Sequence, residues 1–128
     1  MFKRIDHIEL VTGDEERAIR FYTEVLGFEL RSRYEVPGLK LAYLDLGGTT
    51  IELMHFTETV PAPRPEGGER MGYRMMALEV DDMQAALSML AQKGIECSWG
   101  PLTRPAYARA EIRDPDGNSI ELRQWIQR

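Results

Sequence analysis

An imidazole and several carboxylates share one face of the strands that this sequence predicts. Strand residues alternate between faces with period two. Ile8 and Leu10, Ile51 and Leu53, Met76, Leu78 and Val80, and Ile120 and Leu122 therefore form apolar sets able to pack under helices. The opposite face carries His7 and Glu9, then Glu52, Met54 and Phe56, then Met75, Ala77 and Glu79, then Glu121, Arg123 and Trp125. Ionisable groups on a concave sheet face cost desolvation energy unless they are paired, bound to a metal or open to solvent. A polar ligand cleft is the economical reading.

The elements that must position these residues form an internal repeat, the feature to seek before any local assignment. An apolar strand from Ile5 to Val11 leads to an acidic helix start, Gly13-Asp14-Glu15-Glu16. Helically spaced Ala18, Phe21, Tyr22, Val25 and Leu26 come next, closed by Gly27. The order returns with Met75 to Val80, then Asp81-Asp82, then Met83, Ala86, Leu87 and Leu90, closed by Gly94. First-turn acids complement the helix dipole, and each glycine can take the left-handed conformation that ends a helix. Between helix and final strand lie β-like runs: Phe28 to Tyr34 and Leu39 to Leu46, then Ile95 to Trp99 and Ala106 to Arg113. Both halves finish on Gly-x-x-Ile-Glu-Leu, at Gly48 to Leu53 and at Gly117 to Leu122, which puts Glu52 and Glu121 in equivalent places.

Each half is therefore βαβββ, and the class is α+β: two tandem modules, about 3–57 and about 73–126, in a single domain spanning 1–128. The stretch of about 58–72, with Pro61, Pro63, Pro65, Gly67 and Gly68, is too poor in apolar residues to be an element and reads as a linker. Among the remaining reactive types, His55 falls three residues beyond Glu52, on the other sheet face, and reads as a strand-end or core histidine. Cys97 reads as a small buried hydrophobe, not a nucleophile. Arg109, Glu111 and Arg113 either reach the cleft or form a paired surface ladder. Tyr43, Phe56, Trp99 and Trp125 either line a pocket or pack modules or subunits.

Bulk properties exclude several classes. At 128 residues the chain suits one domain with a real core. No apolar stretch approaches the ~18 residues of a membrane span, so no membrane role is expected. A net charge of −5 argues against nucleic acid as a partner and leaves a small ligand as the better fit. The N-terminus has no secretory pattern and a lone cysteine forms no internal disulfide, so the expected setting is cytoplasmic.

Three stretches resemble the vicinal oxygen chelate superfamily, the glyoxalase, bleomycin-resistance and dioxygenase fold: His7-Ile8-Glu9-Leu10-Val11-Thr12-Gly13-Asp14, Arg20 to Phe28 (RFYTEVLGF), and Asp114 to Leu122 (DPDGNSIEL). The resemblance implies a half-open eight-stranded mixed sheet with a concave ligand cleft. It also implies one divalent metal, Ni, Zn, Mn or Fe, held by a residue from the first and last strand of each module. Here those positions are His7, Glu52, Met75 and Glu121. Three can ligate; Met75 stands where metal-binding relatives begin with histidine, and a thioether is a poor donor to such ions. The implied activity is that of a glyoxalase-like lyase or isomerase acting on a 2-oxoaldehyde adduct or related carbonyl compound. The metal would grip vicinal oxygens, Glu52 or Glu121 would move a proton between adjacent carbons, and Glu9, Met54, Phe56, Met75, Arg109 and Arg123 would contact the ligand. The alternative is a metal-independent antibiotic-binding protein of the bleomycin-resistance kind, with an extradiol-type dioxygenase behind it. A homodimer is expected in either case.

Overall fold

Two copies of one βαβββ pattern make up the chain in the computed structural model, which describes residues 1–63, 67 and 69–128. They fall in two compact units, Met1–Pro63 and Arg64–Arg128. The first contains β1 (Ile8–Val11), α1 (Glu15–Arg20), a π-helical continuation (Phe21–Val25), β2 (Glu29–Val36), β3 (Leu39–Leu46) and β4 (Thr49–Phe56). The second contains β5 (Met76–Glu79), α2 (Met83–Gln92), β6 (Trp99–Thr103), β7 (Tyr107–Arg113) and β8 (Ser119–Trp125). The eight strands are hydrogen-bonded as two four-stranded mixed sheets, ordered β1-β4-β3-β2 and β5-β8-β7-β6. In each, the first strand runs parallel to the last and the other pairs are antiparallel. The described part of the predicted linker holds no helix or strand, and Pro65 and Gly68 lie outside the described residues.

Local chemistry explains the element boundaries. Asp14 is the N-cap of α1, its carboxylate accepting from Arg17 N at 3.0 Å, and Asp82 does the same for α2 from Ala85 N at 3.0 Å. The first helix does not run to Leu26 as one α-helix: Leu26 N donates to Phe21 O, five residues back, at 3.2 Å. This wider turn seats Tyr22, fully buried and edge-on to both Phe21 and Phe28. Gly27 then ends the segment at φ +82°. Both final strands are launched from aspartate-anchored turns. Asp114 Oδ1 accepts from the backbone N–H of Asp116 (3.0 Å) and Asn118 (2.8 Å), while Asp45 accepts from Gly48 N and Thr50 Oγ1, each at 3.3 Å.

The predicted face assignment holds best on the inner strands. In the first unit Ile51 and Leu53 are buried along with Ala42, Leu44 and the helical residues Ala18 and Phe21; in the second, Ile120 and Leu122 are buried along with Ala110, Ile112 and the helical residues Met83 and Leu90. It holds least on β1, where Ile8 is 40% exposed and Leu10 only half-buried. β1 and β5 are edge strands of their own sheets, and both are shorter than predicted, four residues each. The sixth strand is a correction: predicted at Ile95 to Trp99, it spans Trp99–Thr103. Ile95 N is instead committed to Leu90 O at the end of α2, at 2.9 Å. β6 can include Pro101 because it is an edge strand whose register shifts between Trp99 and Leu102. Among the described residues no helix is long and apolar enough to cross a membrane.

Gly100 shows what this irregular strand requires. It sits at φ +79°, and a Cβ there would lie 3.1 Å from the Arg109 carbonyl oxygen and 3.2 Å from Ala110 Cα. Gly27 has a similar φ but open space around a would-be Cβ. Gly27→Ala should therefore cost about 1–2 kcal/mol from backbone strain alone, whereas Gly100→Ala should cost about 2–5 kcal/mol because overpacking adds to that strain. Urea denaturation of the two variants measures the difference directly, and equal losses would contradict the steric account.

Candidate functional site

In the first unit the parallel pairing of β1 with β4 sets Glu9 beside Glu52, and β3 adds Tyr43 on the other side of Glu52. His7, two residues before Glu9, completes the group. Its Nε2 lies 3.0 Å from Glu52 Oε2 and 3.2 Å from Glu9 Oε2, and its Nδ1 lies 2.9 Å from Asp6 Oδ2. The Glu52 side chain is only 7% exposed, Glu9 56% and His7 27%. The Tyr43 ring meets the imidazole edge-on at 6.1 Å and Tyr34 also at 6.1 Å. Burial and then the neighbouring Glu52 carboxylate push the Tyr43 hydroxyl pKa above its ordinary value. The hydrogen bond to Asp6, followed by that to Glu9, raises His7 above the usual imidazole range.

These groups fit a divalent cation. One donor atom each from His7, Glu9 and Glu52 can be chosen so that all three lie within 4.8 Å of one another. Adjacent ligands at ~2.1 Å in octahedral coordination stand about 3.0 Å apart, and the two imidazole–carboxylate separations of 3.0 and 3.2 Å match that edge. A carboxylate on the far imidazole nitrogen is the arrangement that orients histidine ligands, and Asp6 supplies it. Among the described residues no arginine or lysine is ion-paired with Glu9 or Glu52.

The second unit treats the equivalent glutamate differently. Glu121 Oε1 is 2.8 Å from Arg109 Nη2 and Glu121 Oε2 is 2.8 Å from Arg123 Nη2, so each oxygen has its own guanidinium. Arg109 Nη2 also reaches Glu111 Oε2 at 2.7 Å, and Arg74 stands 4.0 Å from the same oxygen. The β7–β8 register places Arg109 opposite Arg123 and Glu111 opposite Glu121, so like charges face each other while attraction runs along each strand, Arg109 to Glu111 and Arg123 to Glu121, and across one diagonal, Arg109 to Glu121. Aromatic rings flank the array: Trp99 lies 4.6 Å from the Arg109 guanidinium, and Tyr107 and Trp125 lie 4.3 and 4.9 Å from that of Arg123. Both arginine Nε atoms are buried without a hydrogen-bond partner, covered by rings instead.

The sequence-predicted residues thus fall into two groups. His7, Glu9 and Glu52 come together in the first unit, and Arg109, Glu121 and Arg123 in the second. Met54 is half-buried on β4, two residues from Glu52, and Phe56 is 37% exposed at that strand's end. Met75 is half-buried just before β5, its sulfur 3.9 Å from Arg74. His55 does serve the strand end: its Nδ1 bonds the Thr12 carbonyl at 2.9 Å. Arg113, the last residue of β7, donates from its side chain to Gly117 O in the following turn at 3.2 Å. Cys97 is half-buried, and burial raises its thiol pKa, as suits an inert cysteine. Strand parity leaves the roles of Glu111 and the Trp99 ring open and does not single out Tyr107. The alternation of charge along Arg109, Glu111 and Arg113 is the available signal.

The Glyoxalase/Bleomycin resistance protein/Dioxygenase superfamily model matches residues 4–122. A lactoylglutathione lyase of Escherichia coli O157:H7 is 35% identical over 124 residues, 93% of this chain and 90% of its own length. Among solved structures, a trypanothione-dependent glyoxalase I of Leishmania major superposes with a TM-score of 0.77 at 25% identity, covering 96% of this chain and 87% of that one. The antibiotic-binding protein TnmS3 of Streptomyces sp. CB03234 also gives 0.77 at 25% identity, covering 97% of each.

The arginine array should be sensitive to loss of its central anion. Glu121→Leu would leave two largely buried guanidiniums without their shared carboxylate, and should destabilise the protein by about 2–4 kcal/mol. Glu9→Gln, at an exposed position, should change stability by less than about 0.5 kcal/mol. Chemical denaturation of both variants checks the contrast.

Proposed function

Because the chain belongs to the Glyoxalase/Bleomycin resistance protein/Dioxygenase superfamily, we propose that it is a glyoxalase-like, metal-dependent lyase or isomerase acting on a 2-oxoaldehyde thiol adduct or a related carbonyl compound. The observation that carries this reading is the His7–Glu52 pair, an imidazole and a buried carboxylate 3.0 Å apart, with no lysine or arginine paired to that glutamate among the described residues. Similarity to a lactoylglutathione lyase at 35% identity supports it. His7 and Glu52 would hold the divalent ion, with Glu121 the third position of the family pattern. A bound ion of this kind supplies Lewis-acid polarisation of a substrate carbonyl.

The remaining chemistry falls to the chain. In such an isomerisation a carboxylate removes the proton from the carbon bearing sulfur and hydroxyl and returns it to the adjacent carbonyl carbon, while the hydroxyl proton passes to the former carbonyl oxygen, leaving a thioester beside a new hydroxyl. No oxidant or reductant is needed. Glu52 suits this role: it is held on an inner strand, shielded from water and flanked by the Tyr43 hydroxyl. Glu121 is the alternative base, although its oxygens are occupied by Arg109 and Arg123. A homodimer in a cytoplasmic setting belongs to this reading.

A second reading, a metal-independent protein that sequesters an aromatic ligand, is favoured by Met75 at the position expected to hold histidine and by the Trp99, Tyr107 and Trp125 rings. A dioxygenase is the weakest of the three, since His55 serves the backbone and leaves a single imidazole available.

The assay is conversion of the methylglyoxal–glutathione adduct to thioester by chelator-treated protein reloaded with Ni or Zn. Turnover should require the metal, and Glu52→Gln should lower kcat by about 10²–10⁴-fold. Inactivity of the reloaded protein towards a series of thiol adducts, together with quenching of tryptophan fluorescence by aromatic ligands in the presence of chelator, would favour the binding protein instead.

A further inference from the structure

We propose that Glu9 is a third ligand to the divalent ion, so that the first unit alone offers a complete facial set of one imidazole and two carboxylates. The inference rests on the metal-dependent reading above and names the donor that Met75 does not provide.

Valence at His7 points to a cation. Nδ1 faces Asp6 Oδ2 at 2.9 Å and is fixed as a donor to that carboxylate. Nε2 then faces two carboxylate oxygens at once, Glu52 Oε2 at 3.0 Å and Glu9 Oε2 at 3.2 Å. A bare nitrogen lone pair against two anionic oxygens is repulsive, and one N–H can point well at only one of them. A cation among the three atoms satisfies all of them together. Strand geometry makes the grouping durable, since Glu9 and Glu52 are direct partners in the parallel β1–β4 register and leave the same face.

The two glutamates play different parts. Glu52, 7% exposed, is fixed in place, whereas Glu9, 56% exposed, can adjust to the ion and leaves coordination positions on the solvent side for water or substrate. A set of one imidazole and two carboxylates suits Mn, Fe, Ni or Zn and disfavours soft Cu(I). Glu121, by contrast, would have to surrender an ion pair of 2.8 Å on whichever oxygen it offered.

The test is calorimetric titration of chelator-treated protein with Zn, repeated with Mn and read by electron paramagnetic resonance, with circular dichroism confirming that each variant is folded. Wild type should take up one ion per chain. Glu9→Gln should weaken binding by about tenfold or more, as His7→Ala should, and Glu121→Gln should weaken it by clearly less. A wild type that binds neither ion overturns the metal-dependent reading and this assignment with it. Tight binding by wild type that Glu9→Gln weakens less than tenfold, or that Glu121→Gln weakens as much as Glu9→Gln does, overturns the assignment of Glu9 and leaves the metal-dependent reading standing.

Discussion

A carboxylate buried in the middle of an inner strand must meet a cation, and much of this molecule's polar architecture stems from that requirement. Glu52 on β4 and Glu121 on β8 occupy the same place in two copies of one pattern, both less than 10% exposed. The second unit supplies its own positive charge, one guanidinium per oxygen, and covers those guanidiniums with aromatic rings. The first supplies an imidazole and a further carboxylate, a combination still short of positive charge. One backbone solution therefore supports two electrostatic ones.

Secondary structure positions these groups through devices that are themselves short in sequence. Asp45 and Asp114 anchor the turns that begin β4 and β8, fixing the register from which each glutamate projects. His55 ties the end of β4 to the residue after β1, and Gln124 on β8 accepts from Met83 N at the start of α2 at 2.8 Å. The reactive face is thus tied to the helical side of each unit by hydrogen bonds as well as by packing.

The parts of this arrangement legible in the sequence are those with a period or a repeat. Gly-x-x-Ile-Glu-Leu identifies both final strands and the parity of Glu52 and Glu121, and the aspartates before each helix identify the caps. Where local geometry departs from a regular period, the sequence offers less. The expected position of β6 is displaced because Ile95 and Cys97 alternate like a strand, although backbone hydrogen bonds commit Ile95 to the preceding helix. The π-helical turn at Phe21–Val25 depends on how Tyr22 packs, which residue spacing does not encode. Glu9 is visible on the right face, yet its closeness to His7 and Glu52 depends on which strand β1 pairs with. The Arg109–Glu121 ion pair between β7 and β8 depends likewise on a register that neither strand specifies alone.

The pairing of β7 with β8 also constrains the mutational paths open to the second unit. Arg109 stands directly opposite Arg123, and Glu111 directly opposite Glu121. Replacing Glu121 leaves the two guanidiniums without the carboxylate they share, and replacing Arg109 leaves Glu111 and Glu121 facing each other with the Arg123 pair on only one of them. Positions that share an ion pair are therefore coupled, and change most readily as compensated pairs. Glu9, 56% exposed and in contact with the His7 imidazole, lies outside any such ladder, so its replacement strands no guanidinium. Stepwise change beside the buried carboxylate is therefore structurally open in the first unit and held back in the second.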